Sequence, residues 1–190
     1  MTTISIIGTG NMGGAIAGLA AKGGAEVQLV SREPVQALTG DIVVLAVPYP
    51  AVAEVIAAYR DQLEGKTVVD ITNPLDFSTF DDLVVPSDSS AAAVIAAQLP
   101  GARVVKAFNT NFAATLASGV VGDQPTTVLV AGDDQAAKDA LLAVVRAGGL
   151  RGEDVGSLKR ARELEALGFL QLTLAVGERT SWTAGFALVK

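Results

Sequence analysis

Gly8, Gly10 and Gly13 stand at Gly-x-Gly-x-x-Gly spacing, directly after the apolar run Ile4-Ser5-Ile6-Ile7 and directly before the helical pattern Ala15 to Lys22. In a strand–turn–helix of this kind the first glycine permits a tight turn. The second lets a pyrophosphate reach the backbone, and the third lets helix and strand pack closely. Phosphate oxygens then rest on free N–H groups at a helix N-terminus, where the dipole favours negative charge. A Gly-rich turn of any kind can show the spacing. Its position at the end of a first strand makes it a dinucleotide site, with Gly8, Thr9, Gly10, Asn11, Met12 and Gly13 as the candidate binding residues.

Cofactor choice is read at the end of the second strand. An NAD site places Asp or Glu there, about 20 residues past the glycines, for the ribose hydroxyls. Here Ser31-Arg32 holds that place. A hydroxyl and a guanidinium give charge-assisted hydrogen bonds to a 2′-phosphate that a carboxylate would repel, so the pair points to NADP. The residue types that are missing constrain the chemistry further. With no histidine and no cysteine there is no Ser–His or Cys–His nucleophile and no ordinary zinc site. Asp81, Asp82 and Asp88 form the one acidic cluster, and a solvated turn, not a metal site, is its expected role.

The chain has 190 residues, half of them hydrophobic and 18% charged, which suits one α/β domain over 1–190 with 157–190 as a C-terminal extension. A net charge of −6 and a pI near 4.6 argue against nucleic acid and anionic membranes as partners. No apolar run approaches the roughly 18 residues of a membrane span. The N-terminus enters the first strand at once and leaves no room for a signal peptide, so the expectation is a cytoplasmic protein.

Strands and helices alternate as in a Rossmann-type, doubly wound, mostly parallel sheet with a short C-terminal helical extension. The pattern predicts strands at Thr3–Gly8, Glu26–Ser31, Ile42–Val47, Thr67–Ile71, Arg103–Phe108 and Thr126–Ala131. It predicts helices at Met12–Lys22, Pro50–Leu63, from a Ser89 or Ser90 cap to Pro100, Asn111–Ser118, Asp134–Ala147 and from Leu158 to about Val176. Between Ser31 and Ile42 the chain is too short for an ordinary crossover helix, which should be missing or reduced to one turn. The stretch 167–176 is apolar on all sides and is expected to be buried, in a homodimer contact, beneath a ligand or in the core of the domain.

Five segments now carry a resemblance, in this order: Gly8-Thr9-Gly10-Asn11-Met12-Gly13-Gly14-Ala15-Ile16-Ala17, Ser31-Arg32, Ala46-Val47-Pro48, Asp70-Ile71-Thr72-Asn73-Pro74 and Val105-Lys106-Ala107-Phe108-Asn109-Thr110. The chain resembles the coenzyme F420-dependent NADP oxidoreductase family, whose NADP domain is also similar to that of the STEAP metalloreductases. The resemblance implies hydride exchange between NADPH and a deazaflavin (F420) or a flavin such as FMN or FAD, by ring positioning and without a catalytic side chain. It makes Ser31 and Arg32 the 2′-phosphate site and gives Ala46, Val47, Pro48, Asn73, Pro74 and Ala107 to the ribose and nicotinamide. Asn73, Pro74, Phe108 and Asn109 are its implied acceptor residues, and the apolar helix around Leu167 and Leu170 is expected to close the pocket from the same subunit or a twofold mate. Two other readings stay open: a reductase of a small carbonyl or imine, for which Tyr49, Lys106 or Thr110 would have to donate a proton, and a non-catalytic NADP-binding, redox-sensing module.

Overall fold

The computed structural model describes residues 2–31 and 34–189. The five inner strands of its sheet are largely buried on both faces, because the period-two alternation along each strand feeds two separate helical layers. The chain runs β1 (Thr3–Ile7), α1 (Asn11–Lys22), β2 (Glu26–Val30), β3 (Ile42–Leu45), α2 (Tyr49–Leu63), β4 (Thr67–Asp70), α3 (Ala91–Gln98) and β5 (Arg103–Lys106). It continues through α4 (Ala113–Ser118), a small hairpin of β6 (Val120–Val121) and β7 (Gln124–Pro125), then β8 (Thr127–Gly132), α5 (Gln135–Ala147), β9 (Arg151–Gly156) and α6 (Ala161–Val176).

The seven-stranded sheet has the order β2-β1-β3-β4-β5-β8-β9. The first five strands are parallel, β8 pairs antiparallel with β5, and β9 runs parallel to β8. Ile4, Ile6, Val44, Val69 and Val105 face α1 and α5, whereas Ile7, Val43, Leu45, Val68 and Val104 face α2 and α3. All of β3 is buried, and each of its side chains contributes about 1.5–3 kcal/mol of burial free energy. The order reverses between β1 and β3, which is where an open α/β sheet leaves a crevice at its carboxyl edge.

The short connection from β2 to β3 carries no helix at residues 34–41. Side chains of its neighbours serve its backbone instead. Gln28 Nε2 donates to the Ala37 carbonyl at 2.8 Å, and Leu38 N–H donates to Gln62 Oε1 at 2.8 Å. Gly40 N–H donates to Ser5 Oγ at 2.9 Å, and a Cβ on Gly40 would collide with the β1 backbone, so this strap lies directly on the sheet.

Besides the unpredicted β6–β7 hairpin, three features differ from the sequence reading. β9 was not expected, because Arg-Gly-Glu-Asp-Val-Gly lacks the apolar alternation of a strand. As an edge strand it can show polar residues to water, and Lys138 Nζ holds its Asp154 at 2.8 Å. The helix expected from Leu158 begins as a single 3-10 turn at Leu158–Arg160. The apolar stretch in α6 is only partly covered: Gly168, Gln171 and Ala175 are buried, but Leu170 is 50% and Val176 46% exposed.

Candidate functional site

The glycine turn has a different physical requirement at each glycine. Gly8 takes φ +121°, and a Cβ there would overlap the Ala46 backbone of β3's extension. Gly13 lies in the first turn of α1, where a Cβ would overlap the Gly8 carbonyl, so helix and strand touch through it. Gly10 has nothing within 4 Å of its Cβ position. Its freedom from side-chain bulk is therefore not required by the fold itself, and it caps an α1 whose first turn holds no acidic residue. The leading N–H groups of that helix have no intrahelical partners. An exposed, uncharged glycine cap of this kind fits a pyrophosphate.

At the ends of β4 and β5 a second arrangement faces this turn. Asn73 Nδ2 donates to the Asn109 carbonyl and Asn109 Nδ2 donates to Asn73 Oδ1, both at 2.9 Å, and Asn109 Nδ2 also reaches the Leu164 carbonyl of α6 at 2.8 Å. Gly168 allows this approach, since a Cβ there would overlap Asn73 Oδ1. Phe108, between these strands and the helix, is buried with φ +63°, a strained backbone for a non-glycine residue.

Beneath the pair lies an ionic knot. Lys106 Nζ meets Asp70 Oδ2 and Glu165 Oε1, each at 2.8 Å, with all three side chains at most 1% exposed. Glu165 also accepts Ala91 N–H at 2.8 Å, capping α3 from α6. Burial holds the Glu165 carboxyl above its ordinary range although Lys106 pulls it down. Burial, with Glu165 and Asp70 nearby, likewise raises the Tyr49 phenol.

Turn and asparagine pair open on one cavity of about 780 Å³. Asn11, Met12, Gly14, Ala15, Ile71, Asn73, Phe108 and Asn109 line it from α1 and the strand ends. The opposite wall comes from Asn111, Phe112, Ala113, Ala114 and Ala117 around α4, with Leu172 of α6 and Trp182 of the tail. Of the residues implied for the crevice, the structure thus brings together Asn11, Met12, Asn73, Phe108 and Asn109.

Others stand elsewhere. Val47 packs into the layer under α2, and Pro48 is the exposed N-cap of that helix, so neither lines the cavity. Pro74 is buried, its carbonyl accepting from Val84 N–H, and Ala107 is buried where it extends the β4–β5 ladder. Leu167 points into a separate cavity of about 130 Å³ with Thr110, Thr127 and Phe186, while Leu172 takes the place expected of it. Ser31 follows β2 at the far side of the switch point, and Arg32 lies outside the described residues. Trp182 and Phe112 were missed. Trp182 comes from a tail without periodicity, although a lone tryptophan in such a tail was the available signal.

Fold and turn define a Rossmann-type dinucleotide-binding protein. Residues 33–74 match the family model described as NADP oxidoreductase coenzyme F420-dependent. An F420-dependent NADP reductase of Methanocaldococcus jannaschii is 29% identical over 165 residues, covering 84% of this chain and 74% of the relative. The metalloreductase STEAP3 of Rattus norvegicus is 37% identical over 112 residues, which are 59% of this chain but only 22% of that protein. A crystal structure of a protein assigned as an F420-dependent NADP reductase from Arthrobacter sp. FB24 superposes over 100% of both chains, with a TM-score of 0.86 and 27% identity. The chain belongs to the coenzyme F420-dependent NADP oxidoreductase family.

Proposed function

We propose that the chain passes a hydride between NADP(H) and the deazaflavin F420. The carrying observation is the continuity of the site: the glycine-capped N-terminus of α1 opens without a break into a cavity walled by apolar side chains and carboxamides. Gly8 to Gly13 would hold the pyrophosphate, Ser31 and Arg32 the 2′-phosphate, and Asn11, Met12 and Asn73 the nicotinamide end. The bound nicotinamide supplies or accepts the hydride. The chain's own part is to bring two rings within the roughly 3–3.5 Å that transfer requires and to keep water from them.

The distribution of proton donors supports a ring acceptor over a carbonyl or imine. Lys106 is fully buried between two carboxylates, Thr110 borders the smaller cavity, and Tyr49 does not line the main one. A carbonyl or imine needs a proton on the atom bonded to the carbon that takes the hydride, inside the closed site, whereas a deazaflavin takes its hydride on a ring carbon and its balancing proton on a ring nitrogen at the polar edge, where solvent can supply it. Anaerobic oxidation of NADPH against F420, FMN, FAD and a set of small carbonyls and imines tests the reading. Turnover with F420 well above the others is expected. Turnover with a carbonyl or imine but not with F420 would replace the reading, and tight NADPH binding without any turnover would make the chain a binding module.

A further inference from the structure

The C-terminal tail folds back from the end of α6 and delivers one aromatic residue to the main cavity. Arg179 N–H donates to the Leu174 carbonyl at 2.8 Å, turning the chain at Glu178, whose φ is +55°. Beyond it, Phe186 N–H meets Oε1 of the buried Gln171 at 3.3 Å, and Arg151 Nη1 reaches the Leu188 carbonyl at 3.3 Å. Between these tethers Ala184 N–H closes a turn on the Ser181 carbonyl at 3.1 Å, and Trp182 projects from that turn. Its ring leans on Phe112, centroids 5.0 Å apart and planes tilted by 55°. Yet the residue stays 52% exposed while lining the cavity. A tethered turn that holds an indole over a cavity, with much of its surface still open, resembles half of a stacked pair.

We propose that Trp182 is a binding and specificity residue for the acceptor, supplying the aromatic face on which a planar, electron-poor heterocycle stacks. The inference rests on the hydride-transfer reading above and deepens it. The nicotinamide approaches from the glycine turn at Asn11 and Met12, whereas Trp182 stands on the wall built by α4 and the tail. No ionisable side chain is among the described residues that line the cavity, which suits an uncharged ring with an apolar face and a polar edge. Indole is electron-rich, and offset stacking on an electron-poor ring is tolerant of the ring's exact substituents. Trp182 therefore selects for ring size and planarity, and small carbonyls or imines gain nothing from it.

Trp182 is the chain's single tryptophan, so the emission comes from this residue alone and reports the arrival of the acceptor ring beside it. Titration of the NADP⁺-loaded full chain with F420 should quench that emission to saturation. Trp182→Leu should raise the KM for F420 at least about tenfold with kcat changed much less, while Trp182→Phe keeps most of the affinity. The NADPH dissociation constant should stay within about twofold in both variants, and unchanged circular dichroism and melting would show that the fold is intact. An unchanged KM in Trp182→Leu, or an equal loss of NADPH affinity, overturns the proposal. If the native chain turns over no F420, the hydride-transfer reading fails separately. Without turnover, an F420 dissociation constant at least about tenfold weaker in Trp182→Leu, read from the fluorescence of F420 itself, would still uphold the stacking contact; an unchanged constant, or no quenching of the native chain, would end it.

Discussion

At the scale of single residues, the glycine turn separates two kinds of requirement that the motif alone merges. Gly13 is needed by the fold, because any Cβ meets the Gly8 carbonyl. The fold sets no such requirement on Gly10, because its Cβ position is open, and under the proposed function the requirement comes from the ligand. Gly10→Val should therefore keep the native melting temperature within a few degrees and abolish NADPH binding in calorimetry. Gly13→Val should cost stability first, about 3 kcal/mol or more, as an overpacked backbone contact does. A Gly10→Val protein that bound NADPH normally would remove the turn from the site. For the other end of the cofactor, NADPH should bind at least about tenfold more tightly than NADH, a modest 1.4 kcal/mol for one charge-assisted phosphate contact. Arg32→Ala should erase most of that preference while NADH affinity stays nearly constant. Equal affinities of the native chain for the two cofactors would contradict it.

At the scale of elements, α6 is positioned by polar contacts with the sheet edge more than by its apolar run. Glu165 joins it to Lys106 and to the start of α3, and Gly168 lets it seat on Asn73 and Asn109. Glu165 titrates higher folded than unfolded, because burial outweighs its partner. The folded state then holds more protons than the unfolded state between the two values, so stability falls as pH rises through that window. The window opens near the ordinary glutamate value of 4.5. The melting temperature of the native chain, measured against Glu165→Gln, should decline from about pH 4.5 upward. A difference that stays constant with pH would show that Glu165 does not titrate in this way.

The same elements show how far the sequence could be read. β3 was legible because a parallel strand buried on both faces is a continuous apolar run, and β1, β4 and β5 because each sets a β-branched pair or triplet between turn signals. The missing crossover helix was legible from chain length alone. β9 was not, since its partner strand and not its composition makes it a strand. Nor was the knot of Asp70, Lys106 and Glu165, because Glu165 lies 59 positions after Lys106 and looks like any solvated acid on an amphipathic helix. Leu167 and Leu172 occupy different faces of α6, and helical periodicity cannot choose between them when apolar residues stand on every face of the helix. Asn73, Phe108 and Asn109 were found because they follow successive strands at one edge, which topology alone brings together.

At the scale of the whole molecule, the sheet's carboxyl edge gathers three independent parts: a glycine-capped helix terminus, an asparagine pair clamped by α6, and an aromatic wall delivered by the tail. Their common opening on one cavity is what the fold contributes to chemistry, and no single part predicts it. Direct transfer between two bound rings is the central claim, and isotope tracing addresses it without intermediaries. NADPH carrying deuterium at the transferred position of the nicotinamide, incubated anaerobically with the chain and F420 in ordinary water, should deliver its deuterium to the reduced acceptor at one per ring. Reduced F420 without deuterium, or deuterium lost to the solvent, would mean that the hydride does not pass directly between the rings.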